Sequence, residues 1–300
     1  MGKVIGIDLG GTKINGGVVN EKGRILNKIT IETKDKDGRQ GVLDGIADVI
    51  KELMKDEEIK GIGIGTPGFI DTEKGQVLYH GGNIGDWVGV NLKEEMAKKF
   101  GGLPVFVEND ANVAAICEGW VGGGKGLESF IMITLGTGVG GGIWNKKTGI
   151  WHGNKYQGAE LGHSILYPNG RSCGCGQKGC AERYISGTGI EVNYEEITGN
   201  HLTGEEIFEN NNDPASIETI DKFTKDLATF IVSIKNIFDP QGLIIGGGVI
   251  NSREIWWNKM IENYKAYCNS PEGMEILPAK YLNDAGVIGA AKIAFDNIEK

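Results

Sequence analysis

No apolar run in this chain of 300 residues reaches the roughly 18 residues needed to span a bilayer. The opening MGKVIGIDLGG lacks the charged segment, long apolar stretch and small-residue cleavage site of a signal peptide. Nor does Met1-Gly2 read as a myristoylation signal, because Ile5, Gly6 and the apolar run after them look like a buried strand. Positive charge is in short supply. The chain has 31 Lys and Arg against 40 Asp and Glu, and a net charge of -9 argues against broad contact with nucleic-acid phosphates. Nothing matches the Walker pattern, since no GK[ST] follows the required spacing. Cysteine is scarce, at five residues, and with Cys117 and Cys268 looking free a reducing cytoplasm is the expected home.

Glycine is abundant. Fifty in 300 residues is about twice the average share of ~7%, and they cluster at the ends of apolar runs rather than in a periodic tract. Such clusters imply tight turns and close backbone approaches to a ligand. The length suggests two α/β domains. Lys3 to Leu9 and Ile14 to Val19 read as a hairpin around a glycine turn, with Arg24 to Glu32 as a third strand. Val42, Ile46, Ile50 and Leu53 recur at helical spacing, and Ile59 to Gly65 is a buried strand. Strand 105–107 runs into a helix through Glu108-Asn109-Asp110-Ala111-Asn112, and Val121 to Gly126 marks a boundary. Phe130 to Leu135 and the glycines after it repeat the N-terminal design. Ile217 to Phe238 reads as a long helix, Leu243 to Ile245 as a strand, and Trp256 to Tyr267 and Gly286 to Ile298 as helices. Asn210 to Asp213 is the one segment expected to be disordered.

Each glycine turn closes an apolar strand. Gly10, Gly11 and Thr12 can present backbone N–H groups and a hydroxyl to phosphate oxygens as an amide nest. Asp8 would then face a bridging Mg2+, since a carboxylate beside phosphates needs a cation between them. Lys13 adds positive charge there or is a solvated surface lysine. Gly136, Thr137 and Gly138, in the run ending at Gly142, can offer amides from a second wall, and Gly246, Gly247 and Gly248 suit the flat face of a base or ribose. One such turn is weak evidence; three in this order are specific.

His163 followed by Cys173, Cys175 and Cys180 brings three sulfurs and an imidazole within reach of one zinc ion. Four protein ligands leave no open position for water, so this zinc would be structural. Ordinary cysteines, or one disulfide with a thiol left over, are the competing reading. Three cysteines within eight positions, spaced by glycines, favour metal. Glu160 and Glu182 bracket the ligands, well placed to hydrogen-bond the hydroxyls of a small polyol.

DLGGTK at Asp8 to Lys13, ENDAN at Glu108 to Asn112, LGTGVGGG at Leu135 to Gly142, GAELGH at Gly158 to His163 and CGCGQKGCAE at Cys173 to Glu182 resemble the ROK family of sugar kinases and repressors, in the family's order. The resemblance covers essentially the whole chain. It implies two ribonuclease-H-like domains of the actin and hexokinase type, 1–120 and 121–285, with sugar and ATP in the cleft between them and the last helix, 286–300, crossing back to the first domain. It implies Asp110 as the general base that takes the proton of the attacking hydroxyl. Asn109, Asp110, Glu160, His163 and Glu182 are similar to the family's sugar ligands, with Asn83 and the backbone of Gly68 as further sugar contacts. Read from its position alone, Asp110 is equally a helix N-cap.

The expected activity is therefore ATP-dependent phosphorylation of a hexose, with Mg2+ as cofactor, zinc as a structural ion and a homodimer or homotetramer as the assembly the resemblance implies. Asn83 and the bulky Phe69 lean towards glucose over an N-acetylhexosamine, particularly N-acetylmannosamine, or fructose. A repressor of the same family would carry a helix-turn-helix ahead of Asp8, for which the sequence leaves no room, so neither DNA nor a membrane is an expected partner.

Overall fold

A computed structural model describes residues 2–55, 57–79 and 84–298. Asn83, one of the expected sugar contacts, lies outside the described residues. The chain opens with β1 (Lys3–Leu9), β2 (Lys13–Asn20), β3 (Ile25–Glu32), α1 (Gly38–Leu53), β4 (Ile59–Thr66), β5 (Phe69–Asp71), β6 (Gln76–Tyr79), α2 (Leu92–Lys99), β7 (Val105–Asn109) and α3 (Asp110–Trp120). It continues with β8 (Ser129–Leu135), β9 (Val139–Asn145), β10 (Gly149–Ile150), α4 (Glu182–Ile185), α5 (Gly187–Thr198), α6 (Gly204–Glu209) and α7 (Pro214–Phe238). The last elements are β11 (Gly242–Gly246), α8 (Arg253–Tyr267), β12 (Glu275–Pro278) and α9 (Ala285–Ile298). Two compact units result: Met1–Gly126 with Gly142–Gly158 and Lys280–Lys300, and Leu127–Gly141 with Ala159–Ala279.

The first sheet has the order β3-β2-β1-β4-β7, and the second has the matching order β10-β9-β8-β11-β12. In the first, β2 pairs antiparallel with β1 and β3, whereas β1, β4 and β7 run parallel. Parallel strands are covered on both faces, which is why β1 and β4 read as near-continuous apolar runs. On one face α1 buries Val42, Leu43, Ile46, Val49, Ile50 and Leu53, a stripe at the 3.6-residue period. On the other lies α9, drawn unusually close by glycines. A Cβ on Gly6 would sit 2.0 Å from the Val287 carbonyl oxygen, and one on Gly63 would sit 1.7 Å from that of Ala290. Neither position tolerates a side chain without moving α9.

In the second unit β11, GLIIG, is buried along its whole length and pairs parallel with β8 and β12. The long α7 packs on α8, with Phe223 edge-on to Trp256 at 5.4 Å between ring centroids. The segment expected to be disordered is instead an ordered turn: Asp213 accepts from the N–H groups of Ala215 and Ser216 (3.0 and 3.1 Å) and caps α7, whose first residue is Pro214. Polarity there is capping chemistry, with proline pre-set for the first helical position. Among the described residues, no helix is long and apolar enough to cross a membrane.

Candidate active site

Because β1, β4 and β7 are parallel, their C-terminal ends share one edge of the first sheet, with Asp8 in register with Gly65 and Gly65 with Glu108. Open α/β sheets collect ligands at that edge. Asp8 is half-buried and its Oδ2 accepts from Asn15 Nδ2 at 3.3 Å. Burial pushes its carboxyl up to about 6, the Asn15 hydrogen bond pulls the other way, and the nearby Asp110 adds to the rise. A Cβ on Gly286, in the first turn of α9, would lie 2.4 Å from Asp8 Cγ, so that position has to be glycine for the carboxylate to stay where it is. Beyond Asp8 the hairpin closes with Gly10 N–H donating to Lys13 O at 2.8 Å, while Thr33 donates from Oγ1 to Gly10 O and from N–H to Thr12 O. Gly11, Thr12 and Lys13 form the exposed tip.

At the end of β7 the helix cap is Asn109, not Asp110. Its Oδ1 accepts from the N–H groups of Ala111 and Asn112 at 2.9 and 3.1 Å, and its Nδ2 donates to Gly68 O at 3.0 Å. Gly68 has φ of 106°, a left-handed value that glycine adopts without strain. Asp110 is the first residue of α3, where the helix dipole favours a negative charge, and its Oδ1 accepts from Ala111 N–H at 2.8 Å. Behind it Glu108 is buried and bound to His152, an arrangement the sequence did not suggest because the two lie 44 residues apart. Gly68, Asn109 and Asp110 thus gather in the first unit with Asp8.

Glu160, His163 and Glu182 belong to the second unit. The ligand atoms of His163, Cys173, Cys175 and Cys180 all lie within 4.8 Å of one another. Cys175 Sγ is 3.6 Å from Cys180 Sγ, and Cys173 Sγ is 3.8 Å from His163 Nδ1. A tetrahedral zinc with bonds of ~2.3 Å to sulfur separates its ligands by ~3.8 Å, so the set fits zinc. All five cysteines are free thiols, which removes the disulfide reading. The chemistry of the sulfurs points the same way. Burial works against ionisation of Cys175, but hydrogen bonds from Gln177 bring it down to about 7, whereas burial among the other sulfurs pushes Cys180 up to about 12. The three ionise together only around a cation.

With Nδ1 turned to the sulfurs, His163 Nε2 faces Glu160 Oε2 at 3.9 Å. Glu182 Oε1 accepts from Cys173 Sγ at 3.7 Å, and its Oε2 accepts from Val139 N–H at 3.0 Å. Gly138 leaves room for this: a Cβ there would lie 2.5 Å from Glu182 Oε2. The far end of the loop is held by Arg171, stacked 4.6 Å over the Tyr184 ring and donating to Arg183 O, Asn193 Oδ1 and Glu196.

The second unit also holds a cavity of about 570 Å³, lined among others by Gly136, Thr137, Thr188, Glu191, Glu205 and Gly248 and, among the described residues, by no lysine or arginine. Its size suits a nucleoside-sized ligand. Gly246 and Gly247 do not line it. Gly246 lies inside β11, and Gly247, with φ of 85°, backs onto β8, where a Cβ would sit 2.4 Å from Leu135 O. Thr188, Glu191 and Glu205 carry no local sequence signal that marks them as cavity residues.

A model of the ROK family matches residues 4–297. A glucokinase of Thermotoga maritima is 36% identical over 99% of this chain and 98% of its own length. An N-acetyl-D-glucosamine kinase of Photobacterium profundum is 31% identical over 98% of this chain and 99% of its own. The crystal structure of a ROK family glucokinase from Streptomyces griseus in complex with glucose and AMPPNP is 32% identical and superposes with a TM-score of 0.85, covering 99% of this chain and all of that one (100%).

Proposed function

This chain belongs to the ROK family, and from that premise we propose that it is a sugar kinase that phosphorylates glucose at its 6-hydroxyl with ATP. The observation that carries the reading is the pair of carboxylates at one sheet edge, Asp8 in β1 and Asp110 just past the end of β7, on strands joined in parallel register through β4. Two neighbouring acids in different surroundings divide the work, one facing a cation and one taking a proton. Bound Mg-ATP supplies the phosphoryl group and the charge neutralisation that its transfer needs. Asp110 holds the proton leaving the sugar hydroxyl. Asn109 and the Gly68 backbone, joined by their 3.0 Å hydrogen bond, present one polar edge to the sugar. In the second unit Glu160, Glu182 and His163 are the hydroxyl partners we assign, and a zinc ion held by His163, Cys173, Cys175 and Cys180 would fix the His163 ring. Gly11, Thr12 and Lys13 serve the phosphates, and the cavity lined by Gly136, Thr137 and Gly248 takes the nucleoside.

Glucose is favoured by Phe69. This half-buried ring, tilted against Tyr79 at 5.1 Å between centroids, puts bulk next to Gly68 and so disfavours a larger N-acetylhexosamine there. The relatives include kinases of both sugar types, so the test is a panel of glucose, fructose, N-acetylglucosamine and N-acetylmannosamine in an ATP-coupled assay. Glucose is expected to lead in kcat/KM by about 100-fold, the discrimination one well-shaped pocket supplies. An N-acetylhexosamine in first place would overturn the choice of substrate, and no turnover at all would overturn the kinase.

Asp8 gives a pH signature. MgATP affinity is expected to be full above about pH 7 and to fall as pH drops through 6, where protonation removes the charge facing the cation. The stability of the ligand-free fold runs the other way. The folded state holds the Asp8 proton more tightly than the unfolded chain, so stability declines as pH rises from 3.8 to about 6 and is level beyond. Asp8→Asn should weaken MgATP binding and abolish its dependence on pH. Calorimetric titration across that range checks both, and a flat profile in the parent protein rules out the cation role.

A further inference from the structure

Resting on that kinase reading, we propose that Glu108 and His152 are a positioning pair, fixing the β7–α3 junction and with it Asn109 and the Asp110 carboxylate, without themselves contacting the sugar. Glu108 is 5% exposed, and its carboxylate is fully engaged. Oε1 accepts from Asn109 N–H and from Asn112 Nδ2, both at 2.9 Å, and Oε2 meets His152 Nε2 at 2.7 Å. One carboxylate therefore grips the residue before Asp110, the residue two beyond it and a histidine from the segment 142–158.

Packing does not explain a glutamate at this position. The end of a buried parallel strand is served by valine or isoleucine, and burying a carboxylate is costly unless every oxygen is bonded. The junction also keeps a further cost: Asn112 spends its amide nitrogen on Glu108, and its Oδ1 is buried without a hydrogen-bond partner. Local rules are broken in this way where a site is being held for function.

His152 is itself held in place. Its carbonyl accepts from Gly158 N–H at 2.8 Å, Gly153 turns the chain at φ of 72°, and the Tyr156 ring meets the imidazole edge-on at 6.0 Å between centroids. The titratable groups next to the pair are Tyr156, hydrogen-bonded to Asp71 of β5, and Asp110, two residues on from Glu108 in the chain. The hydrogen bond and the charge of Glu108 hold the imidazole above the ordinary histidine range against the opposing effect of burial. Where the imidazole is protonated, the pair carries no net charge and leaves no uncompensated anion behind Asp110. With His152 removed, the Glu108 carboxylate loses its 2.7 Å partner and its charge is left uncompensated beside Asp110.

The test is the pH profile of kcat/KM for hexose in the parent protein, His152→Ala and His152→Gln, with melting temperatures alongside. His152→Ala is expected to lower kcat by about 10- to 100-fold and to move the acid limb up by about one pH unit. His152→Gln keeps a donor towards Glu108 but not the charge. It should regain most of kcat while keeping the displaced limb, a split that loss of packing alone does not produce. An unmoved limb in both variants overturns the positioning pair while leaving the kinase intact. A parent protein that turns over no hexose overturns the kinase reading and this inference together.

Discussion

Asp110→Asn is expected to lower kcat by about 10³-fold while leaving hexose affinity nearly unchanged, the scale on which general-base catalysis contributes. The substitution keeps shape and surroundings. Asparagine retains a side-chain oxygen for the Ala111 N–H, now 2.8 Å from Asp110 Oδ1, and helix capping is carried by Asn109, so α3 should fold as before. What is lost is the carboxylate proposed to accept the hydroxyl proton. A second consequence follows from the field between the two acids. Asp110 is one of the causes that raise Asp8, so the variant's MgATP affinity should persist to lower pH than the parent's. Single-turnover kinetics and equilibrium sugar binding, measured on one preparation, separate these effects. Unchanged turnover removes Asp110 from the base role, whereas a joint loss of turnover, binding and melting temperature would mean that the residue matters to the fold.

How much of this was legible in the chain depended on how local each signal is. The Cys3His set spans 18 residues, and its spacing alone was enough, because glycines such as Gly179 let the loop fold on itself: at φ of 81°, a Cβ there would sit 1.7 Å from Tyr167 O. Strands ending in glycine were equally readable, since apolar runs and turn chemistry are short-range. The Glu108 and His152 pair was not, because a histidine in WHG has no periodic or motif context and meets its partner only through the fold. The close seating of α9 on Gly6 and Gly63 escaped for the same reason: glycine in a strand reads as weakness until the helix across it is known. At Asp110 the structure bears on the cap alone: Asn109 is the N-cap of α3, and Asp110 is the first residue of the helix, accepting from Ala111 N–H.

Zinc is the other large effect. The parent protein is expected to carry one zinc ion per chain by elemental analysis, and Cys175→Ser to lose it. Cys175 is the exposed member of the set and the sulfur drawn down to about 7, so its replacement removes the most readily ionised ligand while disturbing little of the interior. Arg171, stacked on Tyr184 and bonded to Asn193 and Glu196, holds the other end of the loop. The metal-free protein should therefore keep its core and loosen locally. An ion present at about 1,000 times its dissociation constant stabilises by about 4 kcal/mol, so its loss should lower the melting temperature by roughly 6 °C. Function should suffer more than stability. Without the ion, Nδ1 of His163 has no fixed partner and Nε2 is no longer held towards Glu160, so hexose affinity should fall about 100-fold. Hydrogen exchange confined to residues 160–182 would mark the local character of the change. A parent protein that is active and free of zinc would defeat the assignment, as would a Cys175→Ser variant that binds hexose as tightly as before.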